Sequence, residues 1–221
     1  MSSPGPIHIE AVVDDAEHPA LVAAAEQLGE CLNAASENGH EVRLHFAPSL
    51  EAIEAREPMT LVIASLLPDV CRDESMSSTE ARWRKQLACF TALPQASVFL
   101  CTVFRHVPRG APEQLPDGRA ATTERIRRLN LLAAELSHDT GAGIVDIDRA
   151  FAHLGARALN TDYRLSGAVA AEVAAHTIVW SMLSVGLDDA VAPEVQARAL
   201  QFQGALWQIG GLLSRRLAQS R

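Results

Sequence analysis

The chain has 221 residues, 48% of them apolar and 21% charged, and carries a formal net charge of −8. That length suffices for one sizeable core burying roughly 70% of the unfolded surface, so one domain with a short appendage is the economical reading. With Lys85 the single lysine among 19 basic residues, no basic field attracts nucleic acid or anionic lipid, and neither is expected as a partner.

The start, Met1-Ser2-Ser3-Pro4-Gly5-Pro6, lacks the charged and apolar regions of a signal peptide. No run of about 18 uninterrupted apolar residues appears, and a cytoplasmic location is expected. The four cysteines are widely spaced, with no C-x-x-C pair. Cys31, Cys89 and Cys101 lie among apolar residues and read as core positions, whereas Cys71 follows Pro68-Asp69 and reads as an exposed loop residue.

Strand and helix signals alternate along the chain. Ile7 to Val13 predicts a strand entering a buried sheet, ended by Asp14-Asp15-Ala16-Glu17-His18-Pro19. Pro19 opens a helix to Ser36 with Leu21, Ala24, Ala25, Leu28 and Leu32 on one stripe, and Asn38-Gly39 stops it. Strand Glu41–Ala47, a short helix near Leu50–Arg56 and strand Thr60–Leu66 follow. Ser78 is placed to cap a helix from Thr79 to Leu93, and Ser97–Val103 makes a fourth strand.

Arg105 to Arg119, with three prolines and two glycines, predicts a long loop of the kind that forms lids and binding surfaces. A helix spans Thr122–Thr140, and strand five, Gly143–Ile147, leads through a short helix near Arg149–Leu154 to a loop around Asp162. The helix Ser166–Val185 is almost wholly apolar. Five strands alternating with helices predict an α/β fold, a doubly wound five-stranded parallel sheet of flavodoxin-like type, over residues 1–186. Residues 187–221 read as a linker and an extra C-terminal helix, Pro193–Ser220. Gly204, Gly210 and Gly211 within it suggest close packing on the domain, or homo-oligomer formation through residues 193–220.

Ligands bind such sheets beyond the carboxyl ends of the strands, where strand order reverses. The residues at those ends are Asp14, Asp15, Glu17 and His18 after strand one, Ser65 and Asp69 after strand three, Arg105 and His106 after strand four, Asp146 and Asp148 after strand five, and Asp162 and Arg164 in the last loop. No G-x-G-x-x-G or Walker lysine motif is present, and no cofactor is expected. Asp14 and Asp15 read as capping residues and no metal site is expected. Ser65 and His106 are the serine and histidine at strand ends that can be weighed as a nucleophile–base pair.

Two resemblances rest on these residues. Strand Gly143–Asp148, then Leu159-Asn160-Thr161-Asp162-Tyr163-Arg164-Leu165-Ser166, then a long helix resembles the last third of the SGNH (GDSL-type) hydrolases, and the element order extends the likeness over residues 7–186. That resemblance implies a catalytic serine after strand one, where Asp15 stands. It implies a Gly-x-Asn-Asp block after strand three, where Leu66-Leu67-Pro68-Asp69 stands, with proline in the place of the oxyanion-hole asparagine. It also implies Asp-x-x-His in the last loop, where Arg164 takes the histidine's place and Asp162 is one residue off. The first 70 residues are similar to a response-regulator receiver, but Ala64 holds the phosphoacceptor's position.

Acyl transfer needs a nucleophile, a base and oxyanion donors, and the SGNH motifs for all three are unmatched. The expected function is an SGNH-like domain that binds a small ligand or a protein partner without standard turnover, with Asp14, His18, Ser65, Asp69 and His106 as ligand-binding candidates. The alternatives are an esterase or acyltransferase using Asp15, Asp162 and Arg164, and a structural subunit assembling through its C-terminal helix.

Overall fold

The structure, a computed structural model, describes residues 5–37, 39–53, 61–91, 96–108 and 118–205. The strands are β1 (Ile7–Val12), β2 (Val42–Phe46), β3 (Leu61–Ser65), β4 (Ser97–Cys101) and β5 (Gly143–Val145). The helices are α1 (His18–Ala35), α2 (Met76–Thr91), α3 (Gly118–Thr140), α4 (Ile147–Leu154), α5 (Ala156–Leu159) and α6 (Ala168–Val185). A further helix, α7, covers residues 193–205. All strand pairs are parallel, in the order β2-β1-β3-β4-β5. The chain therefore reverses its direction of travel across the sheet between β1 and β3, which places the ligand crevice of a doubly wound fold between the loops that follow those two strands.

Period-two alternation gives each face of the sheet its own core. Leu61 and Ile63 of β3 join Ile7, Ile9, Ala11 and Phe99 under α1 and α6, while Val62 and Ala64 join Leu100 under α2 and α3. Phe99 is clasped from two sides. A methyl group on Gly143 would lie 2.7 Å from its ring, and one on Gly186 2.6 Å, so both positions exclude a side chain.

Residues 187–205 pack on the α1/α6 layer. Leu187, Val191 and Ala199 are buried in that core, Gln196 donates to the Leu183 carbonyl at 2.8 Å, and Gln203 Oε1 accepts from the Cys31 thiol at 3.3 Å. Among the described residues, α6 alone is long and apolar enough to cross a membrane, but half of that stretch is buried inside the domain.

Several boundaries differ from the sequence reading. Ser75, not Ser78, caps α2: its hydroxyl accepts the Ser78 N–H at 3.1 Å, and the helix begins at Met76. Strand β5 ends at Val145 because Asp146 caps α4, accepting from the Arg149 N–H at 3.0 Å, so Ile147 is already helical. Helix α3 starts at Gly118. The expected helix after β2 is a single turn, Leu50–Ala52, in the described residues. Cys89 is exposed: Trp83, Leu87 and Phe90, spaced by four and three, form the buried stripe of α2, and Cys89 falls outside it. Residues 109–117 of the predicted long loop and 206–220 of the predicted C-terminal helix, with Gly210 and Gly211, lie outside the described residues.

Candidate functional site

The turn after β1 is organised by its acidic residues. Asp14 accepts the Ala16 N–H at 3.0 Å and its own N–H donates to Glu17 Oε2 at 2.9 Å, a reciprocal capping box around the single turn Asp15–Glu17. Asp15 is not part of it. Its side chain is fully exposed, with the His18 ring 3.6 Å away, and that ring stacks on Phe46 at 3.9 Å.

Glu17, by contrast, is buried, and its Oε1 accepts the Ser65 hydroxyl at 2.7 Å across the β1/β3 crevice. Burial pushes the Glu17 carboxyl up to about 7, against the hydrogen bonds from Ser65 and from the Asp14 N–H. Ser65 in turn accepts the Leu67 N–H at 3.1 Å, so Glu17 and Ser65 together fix the turns after both strands. The serine's partner is thus Glu17; the His106 ring stacks on Phe104 at a centroid distance of 5.9 Å.

Asp69 is a structural anchor. At 2% exposed it accepts from Arg82 Nη2 at 2.5 Å and from the Trp83 indole N–H at 2.6 Å, with Arg72 Nε 3.1 Å away. Arg125 donates to the Asp69 carbonyl at 2.7 Å, tying the same turn to α3. These bonds compensate the buried charge.

In the loop before α6, Arg164 folds back on Asp162. Its N–H and Nε donate to Asp162 Oδ1 at 2.9 and 3.1 Å, and its Nη2 donates to Oδ2 at 2.6 Å. Burial pushes the Asp162 carboxyl up, but the bonds from Arg164 and the charges of Arg164 and His106 outweigh it, so Asp162 sits below the ordinary carboxylate value. The loop is pinned to the segment that follows β4 by the Tyr163 N–H, which donates to the His106 carbonyl at 3.0 Å, and Leu165 takes a left-handed φ of 58°. Burial, with the Cys71 thiol beside it, pushes the Tyr163 hydroxyl up to about 12.

These residues border two adjoining clefts at the carboxyl edge of the sheet. One, of about 490 Å³, is lined by Asp14, Asp15, Ser65, Asp69, Arg72 and Arg82, among others. The other, of about 570 Å³, is lined by Asp14, Ala16, Leu67, Pro68, Cys71, Tyr163, Arg164 and Ser166. Asp14 and Pro68 are common to both. Asp162 lies behind Arg164 and lines neither, and neither His18 nor His106 lines them. Tyr163, Arg72 and Arg82 carried no motif in the sequence. Glu17 did carry one, the Asp14-x-x-Glu17 spacing of a capping box. Among the described residues, no group of three or more His, Cys, Asp or Glu side chains is placed to hold a metal ion.

No protein-family model and no curated protein matches the sequence. Solved structures do match the architecture. A protein described as a GDSL-like lipase from Parabacteroides merdae is similar at a TM-score of 0.60 and 14% identity, covering 85% of this chain and 99% of that one. The lipase/acylhydrolase from Enterococcus faecalis is similar at 0.57 and 16%, covering 80% and 95%. A protein described as an SGNH hydrolase from Slackia heliotrinireducens is similar at 0.56 and 15%, covering 80% and 100%. The fold is that of the SGNH hydrolases. At these identities the likeness extends to the SGNH fold and no further, and the chemistry rests on this chain's own residues.

Proposed function

We propose that this chain is an SGNH-fold domain that binds a small ligand in the clefts at the carboxyl edge of its sheet and does not turn esters over through a Ser-His-Asp relay. The observation that supports it is the fork between Asp162 and Arg164. A guanidinium cannot serve as a general base, since its pKa lies above about 12. The carboxylate that would orient a histidine is occupied by the arginine instead. Two further features agree. Asp15 is a fully exposed carboxylate at the rim of the cleft where the family has a serine, and Pro68 offers neither an amide side chain nor a backbone N–H.

The test is hydrolysis of p-nitrophenyl acetate by purified protein, beside Asp15→Ala and Arg164→Ala, with native mass spectrometry of the same preparation for retained ligand. The expected result is a rate at the uncatalysed background for all three proteins. Robust turnover lost in either variant would overturn the reading and establish an esterase with a rearranged site.

A further inference from the structure

Glu17 is a buried carboxyl to which neither the SGNH resemblance nor the proposed binding role gives a task. It sits at the point where the sheet's strand order reverses and holds both walls of the crevice. On one side it fixes the turn after β1 through the Asp14 N–H at 2.9 Å. On the other it holds Ser65 at 2.7 Å, whose oxygen receives the Leu67 N–H at 3.1 Å. The residues on those two turns, Asp14 and Ala16 from the first and Leu67 and Pro68 from the second, line the 570 Å³ cleft. Beyond the β1/β3 pairing, which runs to Val12 and Ala64, this one side chain ties the two turns together.

We propose that Glu17 is a proton-operated latch on this cleft: while neutral it clamps the turn after β1 to the turn after β3, and its ionisation releases the clamp and loosens the cleft. Its consequence for binding rests on the proposal that the cleft holds a ligand; the latch itself does not.

The surroundings of Glu17 give the direction. From its own turn it faces the Asp14 carboxylate. From the end of β4 it faces the buried Cys101 thiol, which burial and then the Glu17 charge push well above its ordinary value. From β3 it meets only the Ser65 hydroxyl, which does not titrate in this range. The neighbouring charge of Asp14 disfavours a second negative charge, and two hydrogen bonds are a partial substitute for water. An ionised Glu17 gains by moving toward solvent, which unmakes both contacts at once. Because the carboxyl is held at about 7 in the closed form and titrates near 4.5 when released, the equilibrium for opening rises about tenfold between pH 6 and pH 8.5.

Amide hydrogen exchange of the full chain at pH 6 and pH 8.5, corrected for the intrinsic pH dependence, reads this directly at Asp14, Glu17 and Leu67. The expected result is an approximately tenfold loss of protection at these amides in the wild type, with none in Glu17→Gln. Ser65→Ala removes the tie between the turns and the acceptor of the Leu67 N–H, so in that variant the Leu67 amide should be poorly protected at both pH values. Equal pH dependence in wild type and Glu17→Gln, or no loss in either, would overturn the latch. Saturation-transfer NMR with phenyl acetate at both pH values tests the ligand separately. Absent transfer alongside the tenfold change leaves the latch standing and counts against the binding reading, whereas transfer at both pH values without the change overturns the latch alone.

Discussion

Asp162 and Arg164 form a closed fork, two residues apart, in which both carboxylate oxygens are engaged by one arginine at 2.6–3.1 Å. This arrangement converts a loop that the fold uses for an acid and a base into a self-contained ion pair. Asp162 is largely buried and Arg164 about one-third exposed, so the pair is partly shielded from solvent and its partners are not interchangeable.

Arg164→Ala therefore leaves a buried carboxylate without its cation. We expect a loss of about 1–3 kcal/mol at pH 7, read from urea denaturation. Asp162 is held below the ordinary value of 3.8, so its contribution is present above that value and is lost as pH falls through the lower folded value. The gap between wild type and variant should narrow when the same titration is run at pH 3. A gap of unchanged size there would show that Arg164 stabilises the loop by packing on Tyr163, whose ring lies 5.6 Å from its guanidinium, rather than through the carboxylate.

Asp69 offers a contrast between buried and exposed charge. Asp69→Ala strips the partner from Arg82 and from the Trp83 indole N–H, both packed around the turn after β3, and should cost about 3–5 kcal/mol. Arg72→Ala removes an ion pair to the same carboxylate from a side chain that is 48% exposed, and should cost less than about 1 kcal/mol. Equilibrium unfolding of the two variants, side by side, checks the ratio. Equal losses would mean that Arg72 carries the anchor.

The sheet was legible from the sequence because its strands alternate or run apolar in the way a doubly covered sheet demands: Leu61 to Ser65 is buried throughout, and IHIEAV pairs on both sides. Positions that depend on one side chain choosing a backbone partner were less legible. Ser75 and Ser78 are equally good caps on paper, and only the packing of Trp83 and Leu87 selects the register that makes Ser75 the cap. The residues around the clefts were named mostly by their place at strand ends, yet the structure separates them. Asp15 faces out, Asp69 is an anchor, and Asp162 is hidden behind Arg164. A sequence gives the strand end a residue follows, but the direction of its side chain is set by the capping bond next to it, as Asp14 and Glu17 illustrate.

Glu17 should also mark the pH dependence of global stability. Its folded value, about 7, lies above the ordinary 4.5, so the stabilisation associated with the neutral form is complete below about pH 4.5 and is lost as pH rises through about 7. The difference corresponds to about 3 kcal/mol between pH 4.5 and pH 8.5. Glu17→Gln keeps the shape and removes the titration, so its stability should vary less over this range and exceed that of the wild type at pH 8.5. Urea midpoints at the two pH values measure both quantities, and parallel curves for the two proteins would exclude Glu17 as the titrating group.

Phe99 supplies a prediction that depends on packing alone. Its ring fills the space left by two missing side chains, Gly143 at the start of β5 and Gly186 at the end of α6, and the Gly186 position is hemmed in further by the Met182 carbonyl at 3.1 Å. Gly143→Ala or Gly186→Ala forces a methyl group to within 2.7 Å of the ring and should destabilise by about 1–3 kcal/mol. Phe99→Leu alone leaves a cavity and should cost a similar amount, about 1–3 kcal/mol. Combined with Gly143→Ala, the leucine yields the space the methyl group needs, so the double variant should be more stable than the sum of the two losses predicts by about 1 kcal/mol or more. Thermal or urea unfolding of the four proteins completes the cycle. Strict additivity would show that β5 moves away from Phe99 to admit the methyl group, and that the clasp is not rigid.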